Sequence, residues 1–210
     1  MPKRANRDNG SAREHILAVG ARLFAEKGYD AASMREVAEA AKVAKPTVYY
    51  YFSSKEGLFE ALLKAGVDSL CGELRAINAR PADAGAERCI EDAVRACFRF
   101  AEEHGDLNRF IHSLAFSPMQ QRERRAVERE FLKVNAQFLE VLGRAAREGL
   151  LDAGRIPSAT LALRGALMAN IVDSLHGKSE IRPESAAEIV AGFLYGYAPR
   201  ESEKKESERR

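Results

Sequence analysis

Tryptophan is absent from this 210-residue chain, and aromatic residues make up only 8% of it. The three cysteines, Cys71, Cys89 and Cys97, are an odd number and never occur in the C-x-x-C spacing of a zinc site, so we predict buried free thiols rather than disulfides or a metal centre. No run approaches 18 consecutive apolar residues, and the N-terminus has no apolar stretch typical of a signal peptide. We therefore expect a cytoplasmic protein that does not enter a membrane and holds no cofactor.

Signatures of catalysis are also missing from the sequence. The four histidines are scattered, and no H-E-x-x-H, G-x-S-x-G, P-loop or G-x-G-x-x-G pattern occurs. Asp173 and His176 are three residues apart, a spacing that is usual for a surface hydrogen bond. These absences predict that the protein is not an enzyme.

Charge is distributed unevenly along the chain, although the net charge is only +2. Residues 1–55 contain ten Lys/Arg and six Asp/Glu, whereas residues 56–210 contain 23 and 25. A basic N-terminal part on a slightly acidic body favours a nucleic-acid partner that meets one end of the molecule only.

Helical periodicity dominates, and strand-like alternation is missing, so we predict an all-α fold. Capping boxes at 11–14, 33–36, 53–56 and 117–120 mark helix starts. The predicted helices are 11–28, 33–41, 45–52, 53–77, 86–104, 106–116, 118–149, 158–177 and 184–197. We expect a flexible basic arm over 1–10 and a disordered tail over 199–210, where almost no residue is apolar.

The two short helices before residue 53 have the spacing of a helix-turn-helix, whose second helix enters the major groove of DNA. In that second helix, Val48 and Phe52 are four residues apart and are predicted to face inward. This turns a cation, a hydroxyl group and three tyrosines at least partly outward, namely Lys45, Thr47, Tyr49, Tyr50 and Tyr51. Such side chains suit DNA contacts. The pattern also allows a tyrosine-rich helix that is buried between its neighbours.

The segment SMREVAEAAKVAKPTVYYYFSSKEGLFEAL, preceded by LFAEKGYDAAS, resembles the DNA-binding domain of the tetracycline-repressor (TetR) family over about residues 11–63. The resemblance implies a three-helix DNA-binding domain over 11–56 and a larger helical ligand-binding and dimerisation domain over 57–198. It also implies these DNA contacts: Ser33, Arg35, Lys45, Pro46, Thr47, Tyr49, Tyr51 and Lys55. Lys55 would hold a phosphate at the start of its helix.

Two residues depart from the family pattern next to the second helix. Lys42 stands where the family often has glycine, which would add about 1 kcal/mol of strain if that site needs a positive φ. Ala44 stands where a serine often caps the helix, and loss of the cap costs roughly 1 kcal/mol. Neither departure removes a side chain that the resemblance assigns to DNA.

The last two long helices form a dimer interface in the family layout. Helix 158–177 is apolar on two sides and therefore has to be covered twice, and helix 184–197 carries glycines four residues apart. The interface candidates are Leu167, Ile171, Ile189, Gly192, Phe193 and Gly196. An ordinary core helix of a monomer would show the same pattern.

A ligand pocket is predicted where polar groups fall among apolar side chains of the body. The candidates are Phe98, Phe110, His112, Phe116, Phe131, Asn135, Phe138 and Met168. A packed core in which Asn135 and His112 are satisfied locally is the simpler interpretation of the same residues.

Together with these patterns, the resemblance implies a homodimer that binds a palindromic DNA operator, with two recognition helices about 34–36 Å apart. We expect a repressor that an apolar or aromatic small molecule releases from DNA, with helix 53–77 as the lever between the domains. The alternative is a helical protein that binds a small molecule or a partner without a DNA function.

Overall fold

The computed structural model describes residues 3–114 and 121–195, and all regular structure in these residues is helical. The all-α prediction is therefore confirmed. The helices are α1 (Lys3–Lys27), α2 (Met34–Ala40), α3 (Lys45–Phe52), α4 (Lys55–Asn78), α5 (Ala86–Glu103), α6 (Gly105–Ser113), α7 (Gln121–Arg147), α8 (Ile156–Leu175) and α9 (Pro183–Tyr195).

The first helix is longer than the sequence pattern predicts. It begins at Lys3, so residues 3–10 are helical and Ser11 lies inside the helix. The predicted helix start at Ser11 is therefore wrong. Residues 3–27 contain no proline, and extending an existing helix adds one hydrogen bond for each residue that is fixed.

Capping explains where the next helices begin. Ser33 caps α2 with the predicted capping box, because its hydroxyl accepts from the Glu36 amide at 3.2 Å and the Glu36 carboxylate accepts from the Ser33 amide at 2.9 Å. At α4 the cap is Ser54, whose Oγ accepts from the Gly57 amide at 3.1 Å, rather than the predicted Ser53. Ser53 instead takes a φ of 59° in the turn. The predicted box at 117–120 and the predicted tail lie outside the described residues.

Two apolar cores run through the described part of the chain. The N-terminal core joins α1 to α3 and the first half of α4 with α6 and the start of α7, while the C-terminal core joins the end of α4 with α5, α7, α8 and α9. Phe110 of α6 is fully buried in the N-terminal core, with its ring centroid 5.2 Å from that of Phe24 and 5.6 Å from that of Phe59. The body therefore contributes α6 to the core of the N-terminal helices.

Helix α4 belongs to both cores. Its Leu58 and Leu62 are buried beside α1 to α3, and its Leu74 and Ile77 are buried in the body. At its C-terminal end, Arg144 of α7 donates to backbone carbonyls just beyond the helix, including that of Pro81 at 3.1 Å. Helix α4 is therefore packed into the N-terminal core at one end and into the C-terminal core at the other.

Candidate DNA-binding site

The end of the molecule formed by α2 and α3 holds the predicted DNA contacts. Ser33 is exposed, but its hydroxyl is already engaged in the capping box of α2. Arg35, two residues later, is also exposed and pairs with Glu39 at 2.8 Å. Because an exposed i,i+4 ion pair is worth only about 0.3–0.5 kcal/mol, the Arg35 guanidinium is readily available to another anion.

Helix α3 faces the core with Val48 and Phe52, which are 0% and 4% exposed. The predicted inward orientation of these two residues is confirmed. Because residues one or two positions away point elsewhere on a helix, this anchoring turns Tyr49 and Tyr50 away from the core, whereas Tyr51 packs partly against it.

The outward side of α3 carries aromatic rings and a cation. Tyr49 and Tyr50 are 41% and 75% exposed, so the tyrosine-rich helix is not buried between its neighbours in the chain. Lys45 and Pro46 are exposed, and the Lys45 ammonium lies 5.7 Å from the centre of the Tyr49 ring. The predicted contacts Thr47 and Tyr51 are half-buried. Tyr50 is the most exposed of these rings, yet the family resemblance does not assign it a DNA contact.

The turn before α3 shows both features that the two sequence departures imply, a strained backbone at Lys42 and an uncapped helix start at Ala44. Lys42 has a φ of 54°, in the region that favours glycine, and Ala44 provides no side-chain hydrogen bond to the start of α3. Pro46 in the first turn partly compensates, since its fixed φ suits a helix start. The exposed Lys42 ammonium forms no ion pair with any described residue, so the turn adds a positive charge to this surface.

Lys55 is the first residue of α4 and lies against the loop between α1 and α2. Its Nζ donates to the Asp30 carbonyl oxygen at 2.9 Å and lies 4.5 Å from the centre of the Tyr29 ring. Burial and the neighbouring negative charges of Glu56, Glu123 and Asp30 raise the pKa of Tyr29 above its ordinary value. An ammonium group has three donors, so this contact positions Lys55 and leaves donors for a phosphate.

Gly57 is a structural requirement of this site that the sequence patterns do not reveal. A Cβ atom at this position would lie 2.0 Å from the backbone oxygen of Phe52, the last residue of α3. Only glycine therefore permits α3 and α4 to meet at this turn. The only signal in the sequence is a glycine in the first turn of an otherwise helical segment, where alanine would be the better helix former.

The predicted ligand-binding residues do not form one cluster. Phe98 and Phe138 are buried in the C-terminal core, whereas Phe110 is buried in the N-terminal core and Phe131 packs against it. His112 and Met168 are half-buried, burial lowers the pKa of the His112 imidazole, and Phe116 lies outside the described residues. Asn135 accepts a hydrogen bond at 2.9 Å from Arg164, a half-buried cation that the sequence patterns do not single out.

Three of the predicted interface residues are placed in the core of the chain itself. Leu167, Ile171 and Ile189 are buried against the other body helices, which leaves little of their side chains exposed, and their contact with a second chain stays a prediction. Helix α8 is apolar on two sides, and the sequence pattern does not distinguish the side that its own chain covers from the other. Gly192 and Phe193 of α9 are half-buried, and Gly196 lies outside the described residues.

The opposite side of α8 is apolar and exposed. Leu161 is 72% exposed, and Gly165 and Ala169 follow it at intervals of four residues, also exposed. Residues at this interval form one line along a helix. Small residues along that line would let another helix approach closely.

Among the described helices none is both long and apolar enough to cross a membrane.

Comparison with known proteins supports the resemblance. Residues 16–62 match the family described as bacterial regulatory proteins, tetR family. The transcriptional activator FasR of Mycolicibacterium smegmatis is 34% identical over 110 residues, which cover 52% of this chain and 49% of that protein. The transcriptional repressor KstR2 of Rhodococcus jostii is 36% identical over 74 residues, 35% of this chain and 36% of that protein. The chain thus spans half or less of the length of these curated relatives.

The likeness to solved structures extends over most of the chain. The transcriptional regulator FadR of Bacillus subtilis, solved in complex with stearoyl-CoA, superposes with a TM-score of 0.76 at 15% identity, over 88% of this chain and 99% of that one. At this identity the likeness shows a shared fold, with the N-terminal helix-turn-helix and the helical C-terminal part in the same arrangement. These relatives are transcriptional regulators and not enzymes.

Proposed function

We propose that this chain, a member of the tetR family of bacterial regulatory proteins, binds operator DNA through α2 and α3 and is released by a small molecule. The observation that carries the proposal is the exposed face of α3. Val48 and Phe52 anchor the helix, and this leaves Lys45, Tyr49 and Tyr50 on a surface that nothing in the described chain covers. Exposed aromatic rings beside a cation suit stacking on sugars and hydrogen bonds to phosphates and base edges.

The electrostatics of this end support the same proposal. Lys42 and Lys45 form no ion pair with any described residue, and the ammonium of Lys55 is positioned at the start of α4. The N-terminus of a helix favours an anion, because its free amide groups and its dipole point outward. A phosphate between Lys55 and the start of α4 would therefore meet both a fixed cation and a helix terminus.

Replacement of single lysines tests the DNA contacts. The bound DNA is first identified by selection from a random duplex library, and affinity is then measured by fluorescence anisotropy at several salt concentrations. We expect Lys45→Ala and Lys55→Ala each to weaken binding and to reduce the slope of log K against log salt by about one phosphate contact. Lys178→Ala, which removes an exposed cation of the body, is the matched control and should leave both quantities unchanged. Duplex binding that neither Lys45→Ala nor Lys55→Ala alters would reject these contacts and favour a helical binding protein without a DNA function.

A homodimer is proposed to present two recognition helices to a palindromic operator. The exposed apolar line of Leu161, Gly165 and Ala169 on α8 supports this interface, because an exposed Leu beside small residues suits close helix contact. Leu161→Glu should shift the protein from dimer to monomer in sedimentation velocity and weaken operator binding. Ala76→Glu, an exposed replacement on α4, should do neither. A dimer that survives Leu161→Glu would locate the interface elsewhere.

The effector is proposed to be an apolar or partly aromatic molecule that enters the C-terminal core. Phe98 and Phe138 are buried in this core and Val134 packs against it, and Asn135, the next residue along α7, accepts a hydrogen bond from Arg164. We propose that the protein is a repressor rather than an activator, in line with the repressors among the relatives. The protein has one state that binds the operator and one that does not. Effector binding should lower operator affinity by the factor by which the effector prefers the second state. An effector that leaves the anisotropy titration unchanged would contradict the proposed release.

A further inference from the structure

A groove lies at the junction between the N-terminal helices and the body, and none of the described residues predicted to contact DNA lines it. Its volume is about 350 Å³, and its walls come from α1, α4 and the connection from α5 to α6. None of the described ligand-binding candidates predicted from the sequence lines it. The volume falls at the lower end of small-molecule pockets, which are commonly about 300–1,000 Å³.

The walls of the groove are apolar and include small residues. Leu17, Leu62 and Leu107 come from three different helices, and Ala18 and Ala65 are exposed where the groove opens. Large side chains at these two positions would fill the space. The floor contains Phe100, whose ring centroid is 4.9 Å from that of His104.

The rim of the groove is acidic. Glu14 of α1, Glu103 at the end of α5 and Asp106 of α6 line it, and no Lys or Arg is among the described residues that do so. Glu14 and Glu103 form no ion pair with any described residue, and Asp106 has only a long contact of 3.5 Å with Arg109. Apolar walls exclude water and concentrate the field of nearby charges, so three carboxylates around one apolar groove favour a positive ligand.

We propose that this groove binds an amphiphilic organic cation, with an alkyl or aryl part between α1, α4 and α6 and an ammonium group at Glu14, Glu103 and Asp106. A fatty acid or another amphiphilic anion would place its charge against the carboxylates. A helical peptide would need a longer groove than one of this volume.

The site touches both parts of the molecule, because α1 belongs to the N-terminal helices and α5 to the body. A ligand that contacts both would favour the relative orientation in which the groove fits it. If the proposed DNA function holds, this contact would change operator affinity, and by reciprocity the operator would change the affinity for the cation by the same factor. The binding itself does not depend on the DNA function and is tested without DNA.

Isothermal titration calorimetry of the full chain with decyltrimethylammonium, below its micelle concentration, is the first experiment. We expect saturable binding of one cation per chain. Decyl sulfate has the same alkyl chain and the opposite charge, and it should neither bind in the groove nor displace the cation. Equal binding of both amphiphiles would overturn the proposal.

Two pairs of variants locate the bound cation. Ala65→Leu fills the groove and should weaken binding at least tenfold, whereas Ala76→Leu, an exposed alanine on the same helix outside the groove, should not. Glu103→Gln should weaken binding severalfold, whereas Glu102→Gln, an exposed neighbour that does not line the groove, should not. All four positions are exposed, and circular dichroism checks that each variant folds. Cation binding that Ala65→Leu leaves unchanged would place the site elsewhere and overturn the proposal, even if DNA binding proceeds as proposed.

Discussion

Gly57→Ala is expected to destabilise the protein at the junction between the recognition helix and α4. An added Cβ would lie 2.0 Å from the Phe52 carbonyl oxygen. To reach an ordinary contact distance of 3.4 Å, the two backbone segments would have to separate by about 1.4 Å, and a backbone oxygen cannot rotate away as a side chain can. Overpacking of this kind costs about 1–3 kcal/mol, with this contact at the upper end, and the better helix propensity of alanine returns at most about 1 kcal/mol. We therefore expect a net loss of about 2 kcal/mol in the free energy of unfolding.

Thermal unfolding followed by circular dichroism at a fixed protein concentration measures this loss. A change of 2 kcal/mol in a chain of this size corresponds to a decrease of about 4–8 °C in Tm. Because the displaced oxygen belongs to the end of α3, operator affinity should fall as well. Residual binding should keep its salt dependence, since no cation is removed.

Gly72→Ala on the same helix is the matched control. Nothing lies within 4 Å of a Cβ at Gly72, so this replacement should raise stability by about 0.5–1 kcal/mol and leave DNA binding unchanged. If Gly57→Ala were as stable as the unmodified protein while Gly72→Ala behaved as expected, the close approach of α3 and α4 would not constrain position 57.

Replacements at three further positions have effects whose direction follows from the structure. Lys42 has a positive φ, so Lys42→Val should lower the free energy of unfolding. Lys42→Gly should change the free energy of unfolding by no more than about 1 kcal/mol in either direction. Equal urea midpoints for the two variants would contradict backbone strain at this position. Phe110→Ala should cost about 3–5 kcal/mol, since the ring is fully buried between Phe24 and Phe59, and a loss below 1 kcal/mol in urea unfolding would refute its place in the N-terminal core. Hydrogen bonds, first from Lys27 and then from Ser33, lower the pKa of Glu36 to about 2, so its contribution to stability is present above the ordinary pKa of a carboxyl and is lost as the pH falls towards 2. Between about pH 5 and pH 2, the range in which carboxyl groups titrate, the free energy of unfolding should fall less in Glu36→Gln than in the unmodified protein. The same fall in both proteins would show that Glu36 does not contribute to acid destabilisation.

The recognition helix was predictable because its features are local. Val48 and Phe52 are four residues apart, and this spacing predicts the side of the helix that faces the core, while the structure shows that Tyr49 and Tyr50 are exposed and Tyr51 is half-buried. Lys42 and Ala44 were also informative, because a positive φ and a missing cap are properties of a few neighbouring residues. The capping box at Ser33 depends only on residues within one helical turn, and it forms as predicted.

The start of α1 and the environment of α8 were not predictable in the same way. Ser11 has the spacing of a helix cap, but residues 3–10 are also helical. A capping motif does not show whether the helix begins at an earlier residue. Leu161 and Leu167 are both apolar residues of α8, and only the placement of α5 and α7 decides that Leu167 is buried and Leu161 exposed. Periodicity reports that a helix has two apolar sides but not which side its own chain covers.

The position of α6 bears on how a ligand in the body could reach the DNA-binding end. A division of the sequence at residue 57 assigns Phe110 to the body, yet its ring packs against Phe24 and Phe59 in the N-terminal core. Well-packed interiors transmit displacements because they contain little free volume. A ligand that moves α6 therefore has to move α1 or open this core, without any contact between the ligand and α3. Helix α4 provides a second connection, so the two parts are joined both by a covalent helix and by a packed aromatic cluster. Release from DNA would then require the two connections to move together, and Phe110 is the residue at which they meet, since it contacts α1 through Phe24 and α4 through Phe59.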